Sequence, residues 1–463
     1  MRRGVPGCAV LLALGALACS EDEPTSPDLE YADPRYWSGG ALTVFSPAAQ
    51  AYSTPAPNVS NLALHLEGDR LVEVGRIAGH DVPFGGLGPT FNSISCAQCH
   101  FSDGRSMPDS WRLGGSGAGS TNFLIRISTP EGSPVPGYGT VIQDQATFGA
   151  VPEAKVSVTM RSARNGQFAD GEPFELVVPR VTFGDWYSGT APKPFAFSLR
   201  IPARQVGLGL LRAIPDETLE ALAAEQVPPI SGRPNRVAHP RGGTRIGRFG
   251  YKAQNADLDI ERTFLSDIGI TGDLFPEEPF AEQNPAVPDS VLHHPPDMRQ
   301  EEFDAVDFYF HTLGVPARRD VRNPEVLRGE ALFGEIGCAS CHTPVLRTTS
   351  AMVRTLLGTE VPELSNQEIH PYTDLLLHDL GAELADPYRQ GIAEGAEWRT
   401  TPLWGIGLQS VINGHSYFLH DGRARSLQEA ILWHGGESEV VTQRFIDLPG
   451  GDRRALLRFL ESL

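Results

Sequence analysis

Phe333-Gly334-Glu335-Ile336-Gly337-Cys338-Ala339-Ser340-Cys341-His342 repeats an earlier stretch, Phe91-Asn92-Ser93-Ile94-Ser95-Cys96-Ala97-Gln98-Cys99-His100, at its Phe, Ile, Cys, Ala, Cys and His positions. Each copy ends in Cys-x-x-Cys-His, the attachment signature of c-type haem. The two thiols add to the haem vinyl groups, and the imidazole of the next residue supplies the proximal iron ligand. The spacing is demanding, because two thioether bonds hold the porphyrin edge against one turn of chain, so that the following His can swing beneath the iron. The duplication predicts two covalently bound c-type haems, one on Cys96, Cys99 and His100 and one on Cys338, Cys341 and His342, with His100 and His342 as proximal iron ligands. A four-thiolate zinc site would have to join pairs far apart in the chain and would leave both His without a role. A thioredoxin-like pair needs a strand-turn-helix context that neither copy has. Structural disulfides stay open for an exported chain.

Working outward, the chain has 463 residues, 38 basic and 57 acidic side chains, a net charge of −19, and 49 Gly with 38 Pro. That length suits two domains of ordinary size. The negative charge argues against a nucleic-acid partner, and the Gly and Pro content predicts long loops around compact cores. Met1-Arg2-Arg3 and the apolar run from Ala9 to Ala18 form an export signal, residues 1–19, too short to span a membrane. Ala16-Leu17-Ala18-Cys19 resembles a lipoprotein processing box, with Cys19 becoming the lipidated first residue; the Ala at its first position, where Leu is usual, keeps plain cleavage and release open. The expected location is therefore exported, on the periplasmic side and lipid-anchored. Residues 20–60, acidic and Pro-rich at their start, read as a flexible tether.

The expected fold is mainly α: two cytochrome c-type haem domains, 61–315 and 316–463, the first carrying a β-rich insertion at about 120–200 and long loops. Asn323-Pro324 caps a helix with Val326, Leu327, Ala331, Leu332 and Phe333 at helical spacing, leading into Cys338. Leu456, Leu457, Leu460 and Leu463 stripe a C-terminal helix expected to cross it over the haem. Phe303, Val306, Phe310 and Leu313 mark another helix, and Pro215 to Glu225 a shorter one. Ser426-Leu427-Gln428-Glu429 is a capping box that starts a helix running to Trp433-His434. By contrast, 122–127, 155–160 and 174–181 are short β-branched runs broken by Gly and Pro, the expected insertion. Gly114 to Ser120 reads as a flexible loop, since neither a Lys-Ser/Thr pair nor a helix pattern follows it.

Several further stretches carry a family likeness: Pro371-Tyr372-Thr373-Asp374-Leu375-Leu376-Leu377-His378-Asp379-Leu380-Gly381, Glu397-Trp398-Arg399-Thr400-Thr401-Pro402-Leu403-Trp404-Gly405, His420-Asp421-Gly422-Arg423-Ala424 and His434-Gly435-Gly436-Glu437. With Gly86 to Asn92, Ile230 to Asn235 and Gly247 to Ala253, this pattern resembles the bacterial di-haem oxidoreductase family over most of residues 80–463. That family is peroxidase-like and distantly similar to the di-haem cytochrome c peroxidases and to the di-haem enzyme that matures methylamine dehydrogenase. The resemblance implies that a small redox protein gives electrons to the C-terminal haem, which passes them to an N-terminal haem that meets peroxide or another oxidant.

In the peroxidases a Met matches the position of His434, so the resemblance implies His342/His434 ligation and a lower potential. It also makes His80, in a Gly-rich loop, a weak distal candidate for the first haem, and Met107 a weaker one. Of the other His, His378 and His420 read as holding propionates or loops, and His239, His293, His294 and His311 as surface residues. The peroxidases hold Ca²⁺ between their domains; the matching stretch here, Glu225-Gln226-Val227-Pro228-Pro229, has lost most carboxylates and does not support it. Trp404 and Trp433 are relay candidates whose plainer role is packing. The sequence identifies no catalytic acid; Glu172 and Glu175 sit in the insertion. Two other readings stay open: a non-catalytic electron carrier, and an oxidase of an organic or protein substrate.

Overall fold

The computed structural model describes residues 31–80, 82–106, 122–147, 149–239, 242–273, 275 and 295–463. The export signal, Cys19, Met107, His293, His294 and the Gly114 to Ser120 loop lie outside them.

Two helix crossings organise the molecule. In the first, α1 (Leu62–Glu73), capped by the Asn61 side chain on the Leu64 amide, precedes the Cys96 segment; α2 (Ile260–Ile268) packs against α3 (Gln300–Thr312), which crosses α1. In the second, α4 (Pro324–Glu335) runs into Cys338, α5 (Leu427–Leu432) and α6 (Glu439–Asp447) follow, and α7 (Gly450–Ser462) crosses α4. The expected Asn323 cap is present, its side chain accepting from the Glu325 amide. At each crossing a glycine allows the backbones to meet: a Cβ on Gly68 would lie 2.1 Å from the Ala305 carbonyl oxygen, and one on Gly329 2.0 Å from that of Ala455. Phe333, Tyr372 and Phe459 then pack edge-on beneath the second crossing.

Between the crossings the chain pairs into strands. β1 (Leu124–Ser128) lies between β2 (Val141–Ile142) and β5 (Ala196–Arg200), with Ile125 opposite both Ile142 and Leu199. β3 (Lys155–Gln167) and β4 (Pro173–Gly184) form a long antiparallel hairpin, in register from Lys155↔Gly184 to Gln167↔Pro173 with a bulge between Ser162 and Arg164. The strands of this stretch are longer than their sequence runs, because exposed Arg161, Ser162 and Ala163 interrupt the apolar signal without interrupting the ladder.

Two expectations are corrected. The fold is not mainly α: 31% of the chain is helical and 19% strand, with six two-stranded sheets and one of three strands among the described residues. Most of these ladders are two or three residues long, too short for a period to register in sequence, and they form because loops wrapped on a core must pair their backbone polar groups. Nor does the tether reach residue 60. Leu42 and Tyr52 are fully buried, Thr43–Val44 pairs in parallel with Val315–Pro316, and the Tyr52 hydroxyl donates to the Gly405 carbonyl. Those partners are hundreds of residues away, and isolated apolar residues facing them carry no periodicity. Arg35–Leu463 forms one compact unit that contains both Cys-x-x-Cys-His segments.

Candidate functional site

Both segments open onto one cavity of about 450 Å³, lined by Cys96 and His100 from the first and by Cys338, Cys341 and His342 from the second. Ser95 caps the single turn Cys96–Cys99, and Gly337, at φ 104°, starts the turn at Cys338. The four thiols are free. Burial pushes those of Cys96, Cys99 and Cys338 up to about 12, which keeps them protonated. Among the described residues no three His, Cys, Asp or Glu side chains are grouped to hold a metal ion.

The imidazoles are presented in one way. His342 donates Nδ1–H to the Tyr372 carbonyl at 2.9 Å, His434 to the Ala430 carbonyl at 2.7 Å, and His100 to the Ala203 carbonyl at 2.8 Å. A carbonyl can only accept, so each bond fixes the proton on Nδ1; this leaves the Nε2 lone pair available in His342 and His434, whereas in His100 Nε2 is the acceptor left for the Gln205 side-chain amide. Burial holds His100 and His342 down to about 4 and His434 below its ordinary value, so all three are neutral. His434 follows the C-terminus of α5, lines the same cavity as His342, and is close enough to influence that ring's proton affinity. The Ser426 cap is present, accepting from the Glu429 amide, but the Glu429 carboxylate reaches back to Arg425 rather than to Ser426. Opposite treatment befalls the first imidazole: the side-chain amide nitrogen of Gln205 lies against His100, 2.7 Å from Nδ1 and 3.1 Å from Nε2.

Six arginines line the cavity, Arg105, Arg126, Arg200, Arg204, Arg248 and Arg399, against one carboxyl group, Asp267. In a chain of net charge −19 this is a marked local reversal. Arg200 Nη1 and Arg248 Nε are buried with no hydrogen-bond partner, an arrangement that costs free energy until an acceptor arrives. The lining suits propionate-bearing haem chemically: thiols for the vinyl groups, imidazoles for the iron, guanidiniums for the carboxylates, and apolar walls such as Phe333, Phe418 and Leu460 for the rings. No local sequence motif announced the arginines, which come from positions spread between 105 and 399. Asp267 was missed likewise. Burial raises its carboxyl above the usual range, and after burial it is the next cause that holds the Cys96 and Cys99 thiols up, which sets it beside the first segment.

The other expected residues fall as follows. His80 hydrogen-bonds Asp297 at 2.7 Å and is not among the cavity-lining residues; Asp297 in turn accepts from Thr271. His378 lies between the Asp374 and Glu437 carboxylates at 2.9 and 2.8 Å. Burial alone would lower its pKa, but Asp374, Cys341 and Glu437 together raise it to about 12, so it is a cation that ties loops together. His420 stacks on Trp398, ring centres 3.8 Å apart. His239 and His311 are buried and face Asp257 and Asp307, not the surface. Trp404 lines the cavity and donates to the Val206 carbonyl, whereas Trp433 packs behind it. Trp398, which also lines the cavity, was not singled out by sequence; Lys252 Nζ lies 4.0 Å and Arg200 4.5 Å from its ring centre. Glu172 pairs with Arg453, and neither it nor Glu175 lines the cavity.

A cavity that gathers two Cys-x-x-Cys-His segments, neutral imidazoles and guanidiniums with unsatisfied N–H groups suits a haem-binding class of protein. The family described as "di-haem oxidoreductase, putative peroxidase" matches residues 31–115 and 193–463, and the chain belongs to it. The chain is also similar to a solved structure of hydrazine synthase from Kuenenia stuttgartiensis pressurised with 20 bar xenon, at 13% identity and a TM-score of 0.30, over 99% of this chain and 100% of that one. No curated protein matches it.

Proposed function

We propose that this di-haem oxidoreductase is an exported peroxidase-type enzyme carrying two covalent c-type haems, on Cys96/Cys99 and on Cys338/Cys341. The observation that carries the reading is the shared cavity in which His342 and His434 offer their Nε2 lone pairs and the His100 Nε2 faces the Gln205 side-chain amide. When bound, c-type haem supplies one-electron chemistry at its iron. His342 and His434 would hold the second haem, which suits electron uptake from a small redox protein, and His100 would hold the first. The cavity arginines anchor the propionates, and the apolar walls exclude water. Asp267, its carboxyl raised by burial, stands next to the first segment to relay protons to the leaving oxygen of a peroxide; reduction of peroxide to two waters consumes two electrons and two protons.

The motif Met1-Arg2-Arg3 with its apolar run supports export, and Cys19 supports a lipid anchor. Among the described residues no helix is long and apolar enough to cross a membrane; the membrane contact of this reading is a lipid on Cys19. Labelling with tritiated palmitate, abolished in Cys19→Ser, tests it.

The catalytic half is tested by peroxide turnover with a reduced artificial donor. Asp267→Asn is expected to slow turnover by roughly 10²–10⁴-fold, the span of general acid catalysis, with both haems attached. Turnover equal to the parent removes Asp267 from the mechanism; no turnover in the parent supports the electron-carrier reading.

A further inference from the structure

The family match stops at 115 and resumes at 193, and the β3–β4 hairpin lies wholly within that gap. Its contacts are not those of a surface decoration. At the base, Val156 and Val158 are buried with Phe123, Ile125, Ile127 and Leu199 of the three-stranded sheet, whose Arg126 and Arg200 line the cavity. At the tip, Phe168 and Leu176 are buried in the core of the second segment with Phe445 and Trp433. The Ala169 amide donates to the Ile446 carbonyl at 3.1 Å, and Arg453 reaches both Asp170 and Glu172. The hairpin therefore spans from a wall of the cavity to the packing behind His434.

Arg164 is where it acts. The bulge between Ser162 and Arg164 breaks the alternation of β3 and re-aims this side chain. The Arg164 guanidinium donates to the Leu432 carbonyl, at the last residue of α5 and two before His434. It also pairs with Glu383 at 2.8 Å and lies 5.9 Å from the Trp433 ring centre, while Arg423 approaches that ring to 4.7 Å. A helix C-terminus leaves carbonyls unsatisfied, and a cation there both caps them and opposes the helix dipole. The same α5 turn supplies the Ala430 carbonyl that fixes the His434 tautomer.

We propose that the hairpin is a strap added to the family fold, and that Arg164 is a positioning residue that holds the turn presenting His434 and sets the potential of the second haem. This rests on His434 being an iron ligand. Positive charge behind the turn that carries His434 would favour the reduced state of a haem held there, which has one more electron, so loss of Arg164 lowers the potential.

The test is a spectroelectrochemical titration with EPR of the oxidised holoprotein. Arg164→Gln is expected to lower the midpoint potential of the second haem alone and to broaden its low-spin g-values. Arg164→Lys, which keeps a charge and a donor, returns the potential toward the parent, and Arg161→Gln, an exposed charge on the same strand, shifts neither haem. A parent-like potential and spectrum in Arg164→Gln overturns the proposal, as does an equal shift of both haems. His434→Met separates the two assumptions. If its low-spin signature matches the parent, the ligand reading fails and the strap's role fails with it; if that signature changes while Arg164→Gln is silent, only the strap is wrong.

Discussion

The two Cys-x-x-Cys-His segments are built on the same crossing and finished differently. In the first, Gly68 of α1 meets Ala305 and Tyr309 of α3; in the second, Gly329 of α4 meets Ala455 and Phe459 of α7, with the two contacts four residues apart in both cases. The attachment turns and the Nδ1–carbonyl bonds of His100 and His342 correspond as well. Beyond the imidazole the likeness ends. The second segment faces His434 across the cavity, whereas the first has Gln205 against its ring and Asp267 beside its thiols. In the proposed function, this shared scaffold anchors haem at both segments, and the loops laid over it close one iron for electron transfer and leave the other open for chemistry.

The largest test of that division removes one anchor at a time. Cys96→Ala with Cys99→Ala is expected to halve the covalent haem content, measured as pyridine haemochrome, and to abolish peroxide turnover while the low-spin spectrum of the second haem persists. Cys338→Ala with Cys341→Ala also halves the haem but removes the closed, electron-accepting site. Retention of both haems in either variant would mean that attachment is misassigned.

A smaller effect sharpens the difference at the iron. His434→Met is expected to raise the potential of the second haem, since His/Met ligation favours the reduced state relative to bis-His, and to leave the first haem's potential where it was. The scaffold itself is probed by Gly68→Ala and Gly329→Ala. Each pushes a methyl into a facing carbonyl and is expected to cost about 1–3 kcal/mol, as overpacking does, read as a fall in Tm; a loss at only one crossing would break the equivalence.

The smallest effect is in pH. Burial raises the carboxyl of Asp103, three residues past His100, from 3.8 to about 7, although Tyr309 donates to it. Its folded pKa lies above its unfolded one, so its contribution is intact below pH 3.8 and is lost as pH rises from there to about 7. Glu437 behaves in the opposite sense: burial would raise it, but His378 and the Ser231 and Asp379 amides bring it from 4.5 down to about 2. Its contribution is present above pH 4.5 and is lost as pH falls toward 2. Amide exchange should accordingly loosen first near residue 103 on the alkaline side and near residue 437 on the acid side, and Asp103→Asn should flatten the former.

What could be read in the sequence was what is local. The attachment motifs, the Asn323 and Ser426 caps and the apolar stripes of α3, α4 and α7 are short-range signals, and each corresponds to an element. His434 could be named because the family resemblance matches it to a peroxidase Met, on a helix whose Ser426 cap is a local signal. The mainly α expectation failed because two-residue ladders such as Thr43–Val44 with Val315–Pro316 have no period to read. The arginine lining, Gln205 and Asp267 were illegible because their meaning arises only when distant loops meet in one cavity. His80 and Trp404 show the converse: a suggestive residue type in a suggestive loop says nothing of its partner, here Asp297 for one and the Val206 carbonyl for the other.

The central claim is that one haem is closed and the other openable, and optical and EPR spectra of the holoprotein bear on it most directly, taken oxidised, half-reduced and then mixed with peroxide. The account predicts one low-spin bis-His haem that persists through all three states and a second haem that becomes high-spin on half-reduction and is consumed by peroxide. Two haems that stay low-spin and indifferent to peroxide would contradict it.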